Sequence, residues 1–202
     1  MLIILYAAKN ETNIEQMLGM PDYSYYFVLR EFQRVLEKLA TIVTVRNPRL
    51  EVDAIYERCR RAGESCVFLS FTPPHDTPID LACPTVPVFA WEFYDIPDET
   101  WDHEVRNDWS MVLGRLGHAI THSKFAATAV RRSVGDDFPI ASIPAPVWER
   151  CARVSEACRP EPCQPAFEVS WQGEKIDTRD PDAPISPIRR RPASPGAAAS
   201  AS

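Results

Sequence analysis

SYYFVLREFQRVLEKLATIVTVRNPRLEVDAIYERCRRAGESCVFLS, residues 24–70, decides the fold. In its first part, Ser24 to Ala40, the residues Val28, Phe32, Val35, Leu36 and Leu39 recur at helical spacing. Arg30, Glu31, Arg34, Glu37 and Lys38 take the opposite face, so an amphipathic helix is predicted. Thr41 to Val45 is β-branched and reads as a strand. Val52 to Ala62 places Val52, Ile55, Cys59 and Ala62 on one helical stripe, and Gly63 is well placed to end it. Cys66-Val67-Phe68-Leu69-Ser70 is then a further strand.

Working outward, the same alternation continues on both sides. Leu2 to Tyr6 is an unbroken apolar run, as expected of a strand buried on both faces. Val86 to Ala90 reads as a fourth strand, with Pro87 arguing against a central position because proline cannot donate to a ladder. Trp109, Val112, Leu113 and Leu116 predict a helix over Asn107 to Leu116, closed by Gly117. His118 to Thr121 is a short strand, and Ser123 is a natural N-cap for a helix from Lys124 to Val134 that Gly135 ends. Pro139 to Pro144 supplies the last strand. Strands alternating with helices of this length predict an α/β fold: a doubly wound, mostly parallel, Rossmann-like sheet with helices on both faces.

Residues 1–157 form this expected domain, and 158–202 read as a proline-rich linker and tail. The ending, with Arg189-Arg190-Arg191 and an Ala/Ser run, buries too little surface to offset its ordering entropy and is expected to be disordered. Its three arginines are a candidate contact for an anionic membrane surface; a solvated tail is the plainer reading. Phe167 to Trp171 alternates like a strand. Lys and Arg number 22 against 28 Asp and Glu, a net charge of -6, which argues against gripping nucleic acid through phosphates. The apolar start has no basic leader or cleavage site, and no apolar run approaches a bilayer span. A cytoplasmic protein with no transmembrane segment is therefore expected. Of the six cysteines none forms a Cys-x-x-Cys pair, so reduced, mostly buried thiols are expected. Cys151, Cys158 and Cys163 cluster in sequence, but at no zinc-binding spacing.

In a sheet of this kind ligands bind beyond the carboxyl ends of the strands. After the first strand, Ala7-Ala8-Lys9-Asn10-Glu11-Thr12 contains no glycine, which weakens any dinucleotide or Walker-type reading. No Gly-x-Ser-x-Gly elbow is present. After the third strand come Thr72, Pro73, Pro74, His75 and Asp76. Phe89 to Pro97, after the fourth, sets aromatic rings beside carboxylates. Rings cover apolar sugar faces, carboxylates accept hydroxyl hydrogens, and Glu92 could take a proton from an attacking hydroxyl. Equally, Trp91 and Phe93 could pack under the sheet while Glu92 caps a loop, and the residues alone leave both readings open. His118 and His122 flank a strand and so stand roughly 13 Å apart, too far for one metal. His122 and Ser123 open a helix, where backbone N–H groups can receive an oxyanion or hydroxyl. Ser123 as a cap is compatible with that.

FAWEFYDIPDETW, residues 89–101, and RNDWSMVLGRLGHAITHSKFAATAVRRSVGDDFPIASIPAPVW, residues 106–148, resemble the amino-terminal domain of bacterial glycosyltransferases of the large retaining family 4 type. That family carries a "WE…P..W" element after its fourth strand and a later apolar strand running into a serine and an aromatic, here Ile120 to Phe125. The resemblance implies a GT-B enzyme, in which this half is acceptor-side and a second half binds the nucleotide-sugar donor. It also implies metal-free, cofactor-free catalysis, with Trp91, Glu92 and Ser123 at matched positions. The expected site is then Glu92 as the catalytic base, with Trp91, Asp95, Trp101, His122 and Ser123 binding a saccharide or lipid-linked acceptor. A lipid-linked acceptor would place the protein at the inner face of the membrane. Such enzymes need about twice this length, so the chain reads as an incomplete half, inactive without a donor-binding domain or subunit. The alternative is a non-catalytic Rossmann-like binding or interaction module.

Overall fold

A computed structural model describes residues 1–17 and 22–157. The strand expected at Phe167 to Trp171, the expected disordered tail, and Cys158 and Cys163 lie outside the described residues. The elements run β1 (Leu2–Ala7), α1 (Ser24–Leu36), β2 (Thr41–Thr44), α2 (Pro48–Arg61), β3 (Cys66–Phe71) and β4 (Thr85–Phe89), then α3 (Trp109–Leu116), β5 (Ala119–Thr121), α4 (Lys124–Val134), β6 (Ile140–Ser142) and α5 (Trp148–Ala157). All six strands are parallel, in the order β2-β1-β3-β4-β5-β6. The chain thus builds the α/β doubly wound, Rossmann-like sheet. Its winding reverses between β1 and β3, which opens a crevice at their carboxyl ends.

The pleat divides the core. Ile3, Leu5 and Ala7 of β1 join Leu29 and Phe32 of α1, Leu69 and Phe71 of β3, and residues of α3 and α4 in the larger buried cluster. The alternate residues Ile4 and Phe68 pack instead with Val52, Ile55 and Cys59 of α2. Side chains of a strand alternate faces, so α1 and α2 cover opposite sides of the sheet. The larger cluster continues through Val88 and Phe89 of β4 to Leu113 of α3 and Val130 of α4.

Three expectations need correction. The buried stripe of α1 is Tyr25, Leu29 and Phe32, with Val28 and Leu36 partly buried against it. Val35 and Leu39 are exposed. The helix ends at Leu36, and bonds from Lys38 and Leu39 to Val35 and Leu36 tighten its last turn, so Leu39 leaves the stripe. Glu31, expected on the solvent face, is buried between Arg34 at 3.1 Å and Arg150 of α5 at 3.3 Å. Second, α2 begins at Pro48 rather than Val52. Proline at the first helical position wastes no donor and presets φ, while Glu51 accepts from the Asn47 and Arg46 N–H groups that the helix start leaves open. Third, β4 is a central strand despite Pro87. Pro87 pairs with Ser70 of β3, and the β5 ladder joins β4 only at Val88, so proline stands where β4 is paired on one side.

Glycines end the helices as the spacing predicts. Gly63 follows α2 with φ 66° and Gly117 caps α3 with φ 77° in the left-handed region. The helix α5 was not foreseen in the sequence; Arg150 ties it to α1 through Glu31.

A candidate saccharide-binding edge

The carboxyl edge is built on a buried hydroxyl chain. Ser70, Thr72 and Thr77 are buried, with Ser70 Oγ 2.8 Å from Thr72 Oγ1 and Thr72 Oγ1 3.0 Å from Thr77 Oγ1. Thr77 donates in turn to the Pro73 carbonyl at 3.4 Å. Arg106 donates to the Thr77 carbonyl at 2.8 Å, tying the loop before α3 to the loop after β3. The short helical turn Pro74–Asp76 then presents His75. Asp108 caps α3 by accepting from Met111 N–H at 3.0 Å, which fixes Trp109 in its first turn.

Buried Trp109 organises this edge. Its indole N–H donates to His75 Nδ1 at 2.9 Å. The proton of the neutral imidazole is therefore on Nε2, which faces the Asp76 carboxylate at 3.9 Å. The ring of Trp91 lies 4.6 Å from that of Trp109 and 5.0 Å from Phe93, and His75 is 6.3 Å from Trp101. Five of the rings from residues 89 to 109, Phe89 among them at 5.7 Å from Trp109, thus form one cluster with His75 at the ends of β3 and β4. Phe93 is 60% exposed and Trp101 42%, so ring surface remains open to a ligand.

Each expected site residue has a definite place. Trp91 is half-buried, and its N–H donates to the Asp95 carbonyl at 2.9 Å, closing its own loop. The Asp95 carboxylate stands 3.8 Å from Arg132 of α4, whose guanidinium lies 3.6 Å from the Tyr94 ring centroid. Glu92 is exposed on the same loop. Ser123 caps α4 by accepting from Ala126 N–H at 3.1 Å. His122 stacks toward Phe32 of α1 at 5.7 Å and bonds through Nδ1 to the Ile143 carbonyl at 3.1 Å. Trp91, Glu92, Asp95 and Trp101 thus lie on the one segment that joins β4 to α3, whereas the His122 ring turns toward α1 and the end of β6. A carbonyl only accepts, so His122 Nδ1 carries the proton and Nε2 is a bare lone pair, buried with no partner among the described residues. Burial lowers the His122 pKa, and the bond to Ile143 opposes this in part.

Tyr25, absent from the expected set, links α1 to this edge. Burial pushes its phenol well up, a hydrogen bond from the Ala90 backbone pulls the other way, and the charges of Asp22, Glu92 and Asp76 add to the rise. Tyr25 is therefore a neutral hydroxyl, and it lines one crevice with the carboxylates of Asp22 and Asp76. Beside it, Lys9, Asp22 and Asp76 line a crevice at the β1/β3 reversal of only about 20 Å³, room for a water molecule. Its signal in the sequence was faint, because Tyr25 reads as one more apolar position of an amphipathic helix.

Other chemistry is less well served. Cys59, Cys66 and Cys83 are free thiols near the α2 face. Burial first and neighbouring thiols second push Cys66 up to about 11, and Cys83 rises for the same reasons, so both stay protonated at neutral pH. Among the described residues no three His, Cys, Asp or Glu side chains gather as a metal site, and no helix is long and apolar enough to cross a membrane. No protein-family model, curated protein or solved structure matches the chain.

Proposed function

We propose that this domain is the acceptor-side half of a GT-B sugar transferase, binding a saccharide or the sugar end of a lipid-linked acceptor on the edge formed by the β3 and β4 loops. One observation carries the reading: the exposed rings of Phe93 and Trp101 belong to one aromatic cluster with His75, whose Nε2 faces the Asp76 carboxylate, and the exposed Glu92 lies between Trp91 and Phe93 in the sequence. Sugars offer apolar C–H faces to rings and hydroxyls to carboxylates, and this edge supplies both. The family resemblance over residues 89–101 and 106–148 supports it. In this reading Glu92 accepts the proton of the attacking hydroxyl, while the rings hold the acceptor in register. The nucleotide-sugar comes from a second domain or subunit.

Saturation-transfer NMR with gluco-, manno- and galacto-oligosaccharides tests the binding step. Trp101→Ala and Phe93→Ala are expected to weaken binding at least tenfold with an unchanged circular dichroism spectrum. Glu92→Gln is expected to retain binding but lose transfer once a donor-binding half is supplied. Absence of saccharide binding, or equal binding in the ring variants, would overturn the site. Binding that survives in Glu92→Gln together with undiminished transfer would overturn the assigned base.

A further inference from the structure

A second cleft lies elsewhere. A cavity of about 460 Å³ opens at the carboxyl ends of β1 and β2, walled on one side by α1. Its size suits a small-molecule ligand.

Four cations line it: Lys9 from the loop after β1, Arg30 and Arg34 from α1, and Arg46 from the loop after β2. Two carboxylates, Glu11 and Glu37, are also present, and Gln33 donates to Glu37 at 2.7 Å. The lining therefore carries a formal charge of +2, from four cations and two anions, in a chain of net charge -6. Arg34 is held by Glu31 at 3.1 Å. Among the described residues no carboxylate stands within ion-pair distance of Lys9, Arg30 or Arg46. Among the described residues, three cations without an ion-pair partner thus come from three separate segments to one cavity whose two carboxylates leave a net positive charge, an arrangement that an anion would complete.

We propose that this cleft binds the phosphate group of a small organic phosphate, separately from the ring-lined edge. Cations from three directions suit the tetrahedral, multi-oxygen phosphate better than a planar carboxylate. The floor adds the apolar surface of Ala7, Leu29 and Val45 and the ring of Tyr26, over which Arg30 lies at 5.7 Å. A bare ion leaves that surface unused, so the ligand carries an organic body.

The test is a titration of the full chain with inorganic pyrophosphate, followed by amide chemical shifts and by calorimetry at fixed ionic strength. Saturable binding is expected, with shifts centred on Lys9, Arg30 and Arg46. Arg30→Gln/Arg46→Gln is expected to weaken it at least tenfold. Both residues are exposed, so the fold is expected to persist, and circular dichroism checks this. Arg58→Gln/Arg60→Gln on exposed positions of α2 removes the same charge away from the cleft and is expected to change affinity less than twofold. Equal losses in the two variants, non-saturating shifts, or citrate binding as tightly as pyrophosphate would overturn the proposal. Adenosine monophosphate and glucose 6-phosphate separate a base-bearing from a sugar-bearing ligand. Tighter binding of either than of inorganic phosphate supports the organic body, and neither doing so overturns it.

Discussion

Trp109→Phe isolates the bond on which the His75 orientation rests. The replacement keeps an aromatic ring against Trp91 and Phe89 but removes the N–H that His75 Nδ1 accepts at 2.9 Å. A net hydrogen bond contributes about 1 kcal/mol. The part of the buried indole that phenylalanine does not replace adds about 1–2 kcal/mol of lost burial. The sum is a destabilisation of about 2–3 kcal/mol, or roughly 5–10 °C in Tm for a domain of this size. The share due to the bond is separable by a double-mutant cycle with His75→Ala, read by urea denaturation. His75→Ala strands the buried Trp109 N–H, and Trp109→Phe in that background relieves it, so a coupling of about 1 kcal/mol is expected. The imidazole ¹⁵N shifts give a second readout: His75 shows the Nε2–H tautomer in the parent and a mixture in Trp109→Phe. Effects that add within about 0.3 kcal/mol, with unchanged ¹⁵N shifts, would refute the argument that Trp109 sets the tautomer.

Ser123→Ala removes the cap of α4 and is expected to cost about 1 kcal/mol in urea denaturation, with Ser123→Asp recovering most of it. An alanine variant as stable as the parent would remove Ser123 from the cap. Gly117→Ala forces a side chain into a φ of 77° where nothing lies within 4 Å, so the cost is purely one of backbone, about 1 kcal/mol. A much larger loss would mean that the backbone cost is not the whole effect. His122 makes stability depend on pH. Burial lowers its folded pKa, while in the unfolded chain it titrates near the ordinary value of about 6.5. Above that pH both states are neutral; as pH falls through it the unfolded chain binds the proton first, and stability drops until the folded pKa is passed. His122→Asn, which keeps a donor for Ile143, is expected to flatten the fall in stability that begins as pH drops through about 6.5. An unchanged profile would show that other histidines carry it.

The sheet was legible because its strands announce themselves twice, by apolar runs and by what stops the helices between them. Gly63, Gly117 and Ser123 sit where the spacing put them, since a left-handed residue or an N-cap oxygen is a local requirement. What misled was tertiary. Pro87 argued against a central strand, and only the late start of the β5 ladder, set by the length of a different strand, removes the conflict. Glu31 reads as solvent-facing until Arg150, 119 residues away, comes to meet it. The same holds at the edge. Trp91, Glu92 and Trp101 could be named from one dense stretch, whereas His75 and Trp109 come from segments 34 residues apart, and no spacing reports that they meet. The cleft walled by Lys9, Arg30 and Arg46 was hidden for the same reason, because each cation reads singly as a solvated charge.

The hydroxyl chain behind His75 has a direction. Thr77 gives its one hydroxyl proton to the Pro73 carbonyl, so at Thr72 it can only accept. Thr72 must therefore spend its own proton on Thr77, and Ser70 must spend its proton on Thr72. Each hydroxyl has a single orientation, fixed by the carbonyl at the far end. Valine at any one position interrupts the series and leaves its neighbours with an unmatched proton or lone pair in the interior. Such a chain resists being altered one residue at a time. The loop that carries His75 and Asp76 is tied to the interior through Ser70 of β3, at the buried end of the hydroxyl chain.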